Sequence, residues 1–133
     1  MSIVSKIKHN EGYRARPYMD TVGKLTVGFG HNLDDVDFPI EISTLLLESD
    51  IKIAMEHLYK KWPHYRTFNT ARQNVLIDMS FNLGISRLAG FKKMHRALAA
   101  NNFVLAASEL LDSKYARQVG RRADDNAREL IEG

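Results

Sequence analysis

One short stretch of this chain alternates while the segments around it repeat at helical spacing, and that asymmetry restricts the fold. In Leu25-Thr26-Val27-Gly28-Phe29, apolar Leu25, Val27 and Phe29 alternate with Thr26 and Gly28. Alternation marks a strand, because successive side chains point to opposite faces; Thr26 therefore opposes the apolar set and is expected to face a cleft. With Tyr18-Met19 before it and Asp20-Thr21-Val22-Gly23-Lys24 as the turn, the segment predicts a small hairpin. Upstream, Ile3, Val4 and Ile7 recur at helical spacing, and Gly12 stops that helix just after Glu11. Downstream, Asn32 to Asp37 reads as a polar turn. Ile42, Leu45, Leu46, Ile53 and Leu58 then predict one long helix from Pro39 to about Lys61, ended by Trp62-Pro63.

Everything further is helical. Val75, Leu76, Met79 and Leu83 share a face of a helix over 70–83, with Asn69 as N-cap and Gly84 as stop. Helices over 91–100 and 103–111 flank an Asn101-Asn102 turn, and a last one over 121–131 turns Ala123, Ala127, Leu130 and Ile131 inward. The expected fold class is α+β and mostly helical, in a single domain spanning 1–133. A small β-hairpin lobe, about 13–38, is joined by the long helix to an all-helical lobe formed by 1–12 and 39–133. A cleft between two lobes is a usual place for a ligand site.

Composition narrows the chemistry. With no Cys, a disulfide framework, a thiolate metal site and a cysteine nucleophile are all excluded. His9, His57, His64 and His95 form no ligand spacing and no His-Glu-x-x-His occurs, so neither a metal nor a cofactor is expected. Gly28-Phe29-Gly30 lacks the third glycine and the βαβ setting of a dinucleotide loop; it is a tight turn. The net charge of +3 is spread over many elements, which argues against a nucleic-acid partner. The first residues run straight into an amphipathic helix without the apolar core of a signal peptide, and no apolar run suits membrane insertion. A cytoplasmic site of synthesis is the expectation.

Glu11, Asp20 and Thr26 lie on a helix end, a turn and a strand in quick succession. Two carboxylates across a cleft can split a glycosidic bond: one protonates the leaving oxygen while the other stays ionised. The negative end of the helix dipole, where Glu11 sits, disfavours an added negative charge and suits a proton donor. Taken singly, each residue has a plainer reading: a solvated Glu, a turn-forming Asp, a strand-forming Thr. Their joint order and spacing, taken with the motifs further along the chain, make the catalytic reading the stronger one.

At this point the chain resembles the T4-type phage lysozymes, the glycoside hydrolase family 24 endolysins. The likeness rests on Glu11-Gly12-Tyr13-Arg14, Tyr18-Met19-Asp20-Thr21-Val22-Gly23 and Leu25-Thr26-Val27-Gly28-Phe29-Gly30-His31. It continues through Arg72-Gln73, Ser80-Phe81-Asn82-Leu83-Gly84, Ala89-Gly90-Phe91 and Gly120-Arg121-Arg122-Ala123, in order along the chain. The resemblance implies a lysozyme-like fold. It also implies cleavage of the β-1,4 bond between N-acetylmuramic acid and N-acetylglucosamine in bacterial peptidoglycan, lysing a host cell at the end of infection. Carried over by position, Glu11 is the general acid, Asp20 the second carboxylate, and Thr26 the hydroxyl that helps hold the attacking water. His31 matches a histidine that pairs with a carboxylate of the long helix, here Asp50, and Arg122 an arginine able to reach the catalytic Glu. Substrate contacts fall at or near Asn32, Phe81, Asn82, Met94, Glu109 and Gln118. For Phe81, sugar stacking and a place in a helix core are equal alternatives. Release past the inner membrane through a separate holin-type protein is the implied route.

Four departures qualify this pattern. Residues 32–38 cross directly to the long helix, where some relatives insert a further helix and loop. The expected state is a monomer, with a partner chain completing the shortened wall as the alternative. Met94 stands where a small hydroxyl residue is common and Glu109 where an amide can occur, which weakens a sugar hydrogen bond at either. Val22 replaces a position that can be acidic. A non-catalytic wall-binding module is the competing function class, and a chitin-type glycosidase a weaker third.

Overall fold

The computed structural model describes Met1–Gly133 and divides into two compact units, Met1–Thr44 and Leu45–Gly133. Helix α1 (Ile3–Glu11) opens the first unit. Ser2 caps it by accepting from the Ser5 N–H, and Gly12, at φ 69°, ends it by donating to the Lys8 carbonyl. An antiparallel sheet follows, with strands β1 (Arg14–Met19), β2 (Leu25–Gly28) and β3 (His31–Asn32) in that order. Tyr18 pairs with Thr26, and Thr26 with Asn32, so Thr26 lies on the middle strand. The hairpin expectation was too small on both sides. β1 reaches back to Arg14 through an irregular register between Arg14 and Tyr18, and the two-residue β3 extends the sheet beyond Phe29.

In this unit α1 groups with the sheet. Tyr13 packs on Phe29 with ring centroids 5.2 Å apart, and the Lys8 ammonium lies 5.2 Å from the Phe29 centroid. Only Thr26 is buried, at 3% exposure, so it is covered by neighbours instead of opening outward.

Helix α2 (Ile40–Lys61) runs through the boundary at Thr44 and buries Ala54, Leu58 and Tyr59 near its C-terminal end. Trp62 and Pro63 close it into a 3-10 turn, Pro63–Thr67. The second unit continues with α3 (Thr70–Leu83), α4 (Ile85–Ala89), α5 (Lys92–Ala99), α6 (Phe103–Leu111), α7 (Lys114–Val119) and α8 (Arg121–Glu132). α6 packs against both α5 and α8, and α3 against α8. Their core includes Tyr65, Leu76, Met79, Leu98, Leu110 and Leu130, all without solvent exposure.

The Arg72-Gln73 pair is structural. Arg72 donates from Nε to the Leu130 carbonyl at 2.8 Å and from Nη2 to that of Ile131 at 3.1 Å, satisfying carbonyls of the last turn of α8. Gln73 donates to the Phe68 carbonyl at 2.6 Å and accepts from the Tyr59 hydroxyl. On α8 the inward face is Ala123, Asn126, Ala127 and Leu130, while Ile131, expected inside, is 47% exposed. One residue past Leu130 is a 100° turn away from the buried stripe, and Asn126 takes an inward position with its amide donating to Asp78.

Candidate active site

Glu11 ends α1, and its carboxyl rests against Gly30. A Cβ at Gly30 would stand 2.7 Å from Glu11 Oε2 and 2.8 Å from Cδ, so any side chain there would displace the carboxyl. Gly30 also has φ +76°, which side chains rarely tolerate. The glycine between Phe29 and His31 thus serves both the turn and the seat of the carboxyl.

Asp20 opens the turn between β1 and β2. Its Oδ1 accepts the Val22 N–H at 2.9 Å and the Lys24 N–H at 2.8 Å, while its own N–H donates to the Lys24 carbonyl at 2.8 Å. Oδ2 has no hydrogen bond within the protein. The side chain therefore builds its own turn with one oxygen and keeps the other free. Thr26 donates from Oγ1 to the Lys24 carbonyl at 3.0 Å. With its proton directed there, the Thr26 oxygen presents lone pairs to any water that meets it.

Asn32 is committed locally. Its Oδ1 accepts from the N–H groups of Asp34 at 2.9 Å and Asp35 at 3.1 Å, and its Nδ2 donates to Asp35 Oδ2 at 3.0 Å. Asp34 in turn accepts from the Leu25 N–H at 2.8 Å, and Lys24 pairs with Asp35 at 3.1 Å. This web fastens the short 32–38 crossing to β2 and leaves Asn32 one amide hydrogen for a ligand. His31 packs on Phe38 with centroids 5.0 Å apart, and its buried Nε2 has no hydrogen-bond partner. Asp50, its expected partner, is an exposed residue of the second unit.

In the second unit a cavity of about 650 Å³ is bordered by Phe91, Met94, Glu109, Tyr115 and Gln118. Glu109 and Gln118 reach it with polar side chains. Met94 is 1% exposed and belongs to the hydrophobic core, so it supplies an apolar wall and no polar contact. Phe81 is 42% exposed, which removes the core alternative for it, and Asn82 beside it is exposed too. No three His, Asp or Glu side chains come together in a metal-binding group.

Arg122 has a partner that sequence reasoning missed. Two of its three guanidinium nitrogens, Nε and Nη2, donate to Asp78, which also accepts from Asn126 Nδ2 at 3.0 Å. Burial alone would push the Asp78 carboxyl up; the hydrogen bonds from Arg122 and Asn126 outweigh it and hold the group below the usual carboxylate range. The guanidinium is thus oriented within the second unit by a carboxylate of α3. Nothing local to either residue signals a pair separated by so much chain.

The phage lysozyme family model matches residues 8–126. Among characterised sequences, the chain is 23% identical to Probable T4-type lysozyme 1 of Dictyostelium discoideum, covering 92% of this chain and 89% of that one. Probable T4-type lysozyme 2 of the same organism is 24% identical with the same coverage. The pre-baseplate central spike protein Gp5 of Enterobacteria phage T4 is 25% identical over 92% of this chain, which spans 26% of that protein. The chain belongs to the phage lysozyme family and is a lysozyme, a glycoside hydrolase of peptidoglycan.

Proposed function

We propose that this lysozyme hydrolyses the β-1,4 bond between N-acetylmuramic acid and N-acetylglucosamine with inversion at the anomeric carbon. Glu11 gives its proton to the leaving oxygen as the glycosidic bond breaks. A water attacks the opposite face of the ring and yields a proton to Asp20. The observation that carries this reading is the divided use of the Asp20 carboxylate. Oδ1 is occupied by the Val22 and Lys24 N–H groups, and Oδ2 is available to a water. Thr26, already donating to Lys24, offers the same water a second acceptor. A water that donates to both keeps a lone pair for carbon.

Exposed Phe81 and Asn82, and the cavity with Glu109 and Gln118, are suited to hold saccharide or stem peptide. The role that follows is lysis of a host cell by a monomer acting on the wall beyond the inner membrane, reached through a holin-type pore.

Anomer-resolved NMR on the first product tests the stereochemistry. The α-anomer is expected before mutarotation, and a β-product overturns inversion and makes Asp20 a nucleophile. Glu11→Gln is expected to abolish clearing of a peptidoglycan suspension with the fold intact. Substantial residual clearing overturns the proton-donor assignment.

A further inference from the structure

A second hollow of about 510 Å³ in the helical unit is bordered by Lys61, Trp62, Ala89, Lys92, His95 and Arg96. Three of the six carry positive charge and none is acidic. Lys61, Lys92 and Arg96 form no ion pair anywhere in the protein. Cations left unpaired around one concavity raise the local potential for an anion.

The floor of this hollow is built, not incidental. The Trp62 ring lies nearly parallel to that of His95, 4.2 Å away at 15°, and to that of Tyr65, 5.6 Å away at 21°. His95 and Tyr65 are themselves joined edge to edge through Nδ1 and the hydroxyl, and His95 Nε2 meets the Leu88 carbonyl at 2.7 Å. Burial disfavours the His95 cation, and the neutral ring accepts from Tyr65 at Nδ1 and donates to Leu88 from Nε2. The histidine contributes no charge to the hollow; it fixes the plane on which the indole rests. His95 and Tyr65 stack on the indole, and Trp62 and His95 both border the hollow. The Lys61 ammonium lies 5.6 Å from the indole centroid.

We propose that this hollow binds a saccharide unit carrying phosphate, the ring lying on Trp62 and the phosphate meeting Lys61, Lys92 and Arg96. A held indole offers a flat apolar surface to the C–H face of a pyranose. Arg96 can take two phosphate oxygens at once, and the lysines act as point charges. Lys92 and Arg96 also border the larger cavity, so the two hollows share a wall. The neighbouring cavity carries Arg87, Lys93 and Lys114 besides Glu109 and Asp112, so a polynucleotide is the competitor that the experiment has to separate. The source of such a ligand, a phosphate-linked polymer of the bacterial wall, rests on the lysozyme reading; the binding chemistry does not.

Trp62 is the sole tryptophan of the chain, so its emission reports on this hollow alone. N-acetylglucosamine 6-phosphate is expected to change that emission saturably in the full chain. N-acetylglucosamine and inorganic phosphate should each bind at least about tenfold more weakly than the phosphosugar. Lys61→Gln and Arg96→Gln should weaken the phosphosugar about fivefold each, with helix content by circular dichroism unchanged, and Arg96→Lys should recover part of the loss. No emission change, an equal response to inorganic phosphate, insensitivity to both substitutions, or tighter binding of a thymidine decanucleotide overturns the proposal. Retention of the Glu11→Gln protein on wall fragments should drop after hydrofluoric acid removes phosphodiester-linked polymers, and equal retention also overturns it. Clearing activity is scored separately, so failure of the muramidase reading leaves the fluorescence result standing.

Discussion

Arg122 meets Asp78 through two parallel hydrogen bonds, Nε to Oδ2 at 2.9 Å and Nη2 to Oδ1 at 2.6 Å. This fork joins the first turn of α8 to α3 and is completed by Asn126. Both side chains are more than a third exposed, at 39% and 35%, which limits what the pair contributes. Asp78→Asn is expected to cost about 1 kcal/mol in chemical denaturation, and Arg122→Lys nearly as much because an ammonium cannot reproduce the fork. A double-mutant cycle should return a coupling of similar size; a coupling of zero would mean the geometry contributes nothing to stability.

Gly30→Ala tests the seat of the Glu11 carboxyl. A methyl group 2.7 Å from Oε2 forces the carboxyl to move, and φ +76° adds strain of about 1–2 kcal/mol. The expected result is a folded protein with a lowered Tm and clearing activity reduced at least about tenfold. Gly23→Ala, also at positive φ but with open space around it, should lower Tm while sparing activity far more.

Thr26→Val keeps the volume and removes the hydroxyl. The Lys24 carbonyl still accepts from the Asp20 N–H, so it is not stranded, and the stability loss should stay near 1 kcal/mol. Turnover should fall about a hundredfold, the scale of a mispositioned reactant, with Thr26→Ser restoring most of it. Equal turnover in the Val variant removes Thr26 from the reaction.

The His95 imidazole is held below its ordinary value of 6.5, chiefly because burial disfavours the cation. In the unfolded chain it takes up a proton as the pH falls through about 6.5; in the folded chain it does so only at lower pH. The unfolded state therefore binds more protons in that window, and stability rises with pH up to about 6.5 and then levels. Denaturation midpoints between pH 7.5 and 5 should decline in the native protein and decline less in His95→Gln. Parallel curves would assign the acid sensitivity to another group.

What could be read from the sequence followed the strength of local signals. α3 is bounded where Asn69 and Gly84 predict, and α1 stops where Gly12 predicts, because a cap and a positive φ act within a few residues. β3, α4 and α7 were missed because elements of two to six residues do not complete a recognisable period. The proposal of Glu11, Asp20 and Thr26 as the catalytic set rests on order, spacing and family resemblance. Thr26 being covered, Met94 joining the core and Arg122 turning to Asp78 all depend on contacts between distant segments, which spacing does not encode. The commitment of Asn32 to its own turn was legible in principle, since Asn followed by Asp at two and three residues on is a local capping pattern.

The two oxygens of Asp20 give one side chain two separable inheritances. An asparagine could still accept the Val22 and Lys24 N–H groups through its carbonyl oxygen, so the turn, the sheet register and the melting behaviour would persist. Only the anionic oxygen would be lost. Under the proposed mechanism, inactivation by that route would leave no trace in a screen for folding or solubility, and a lineage could drift from hydrolase to inert wall-binding protein through this single substitution without passing through a misfolded ancestor.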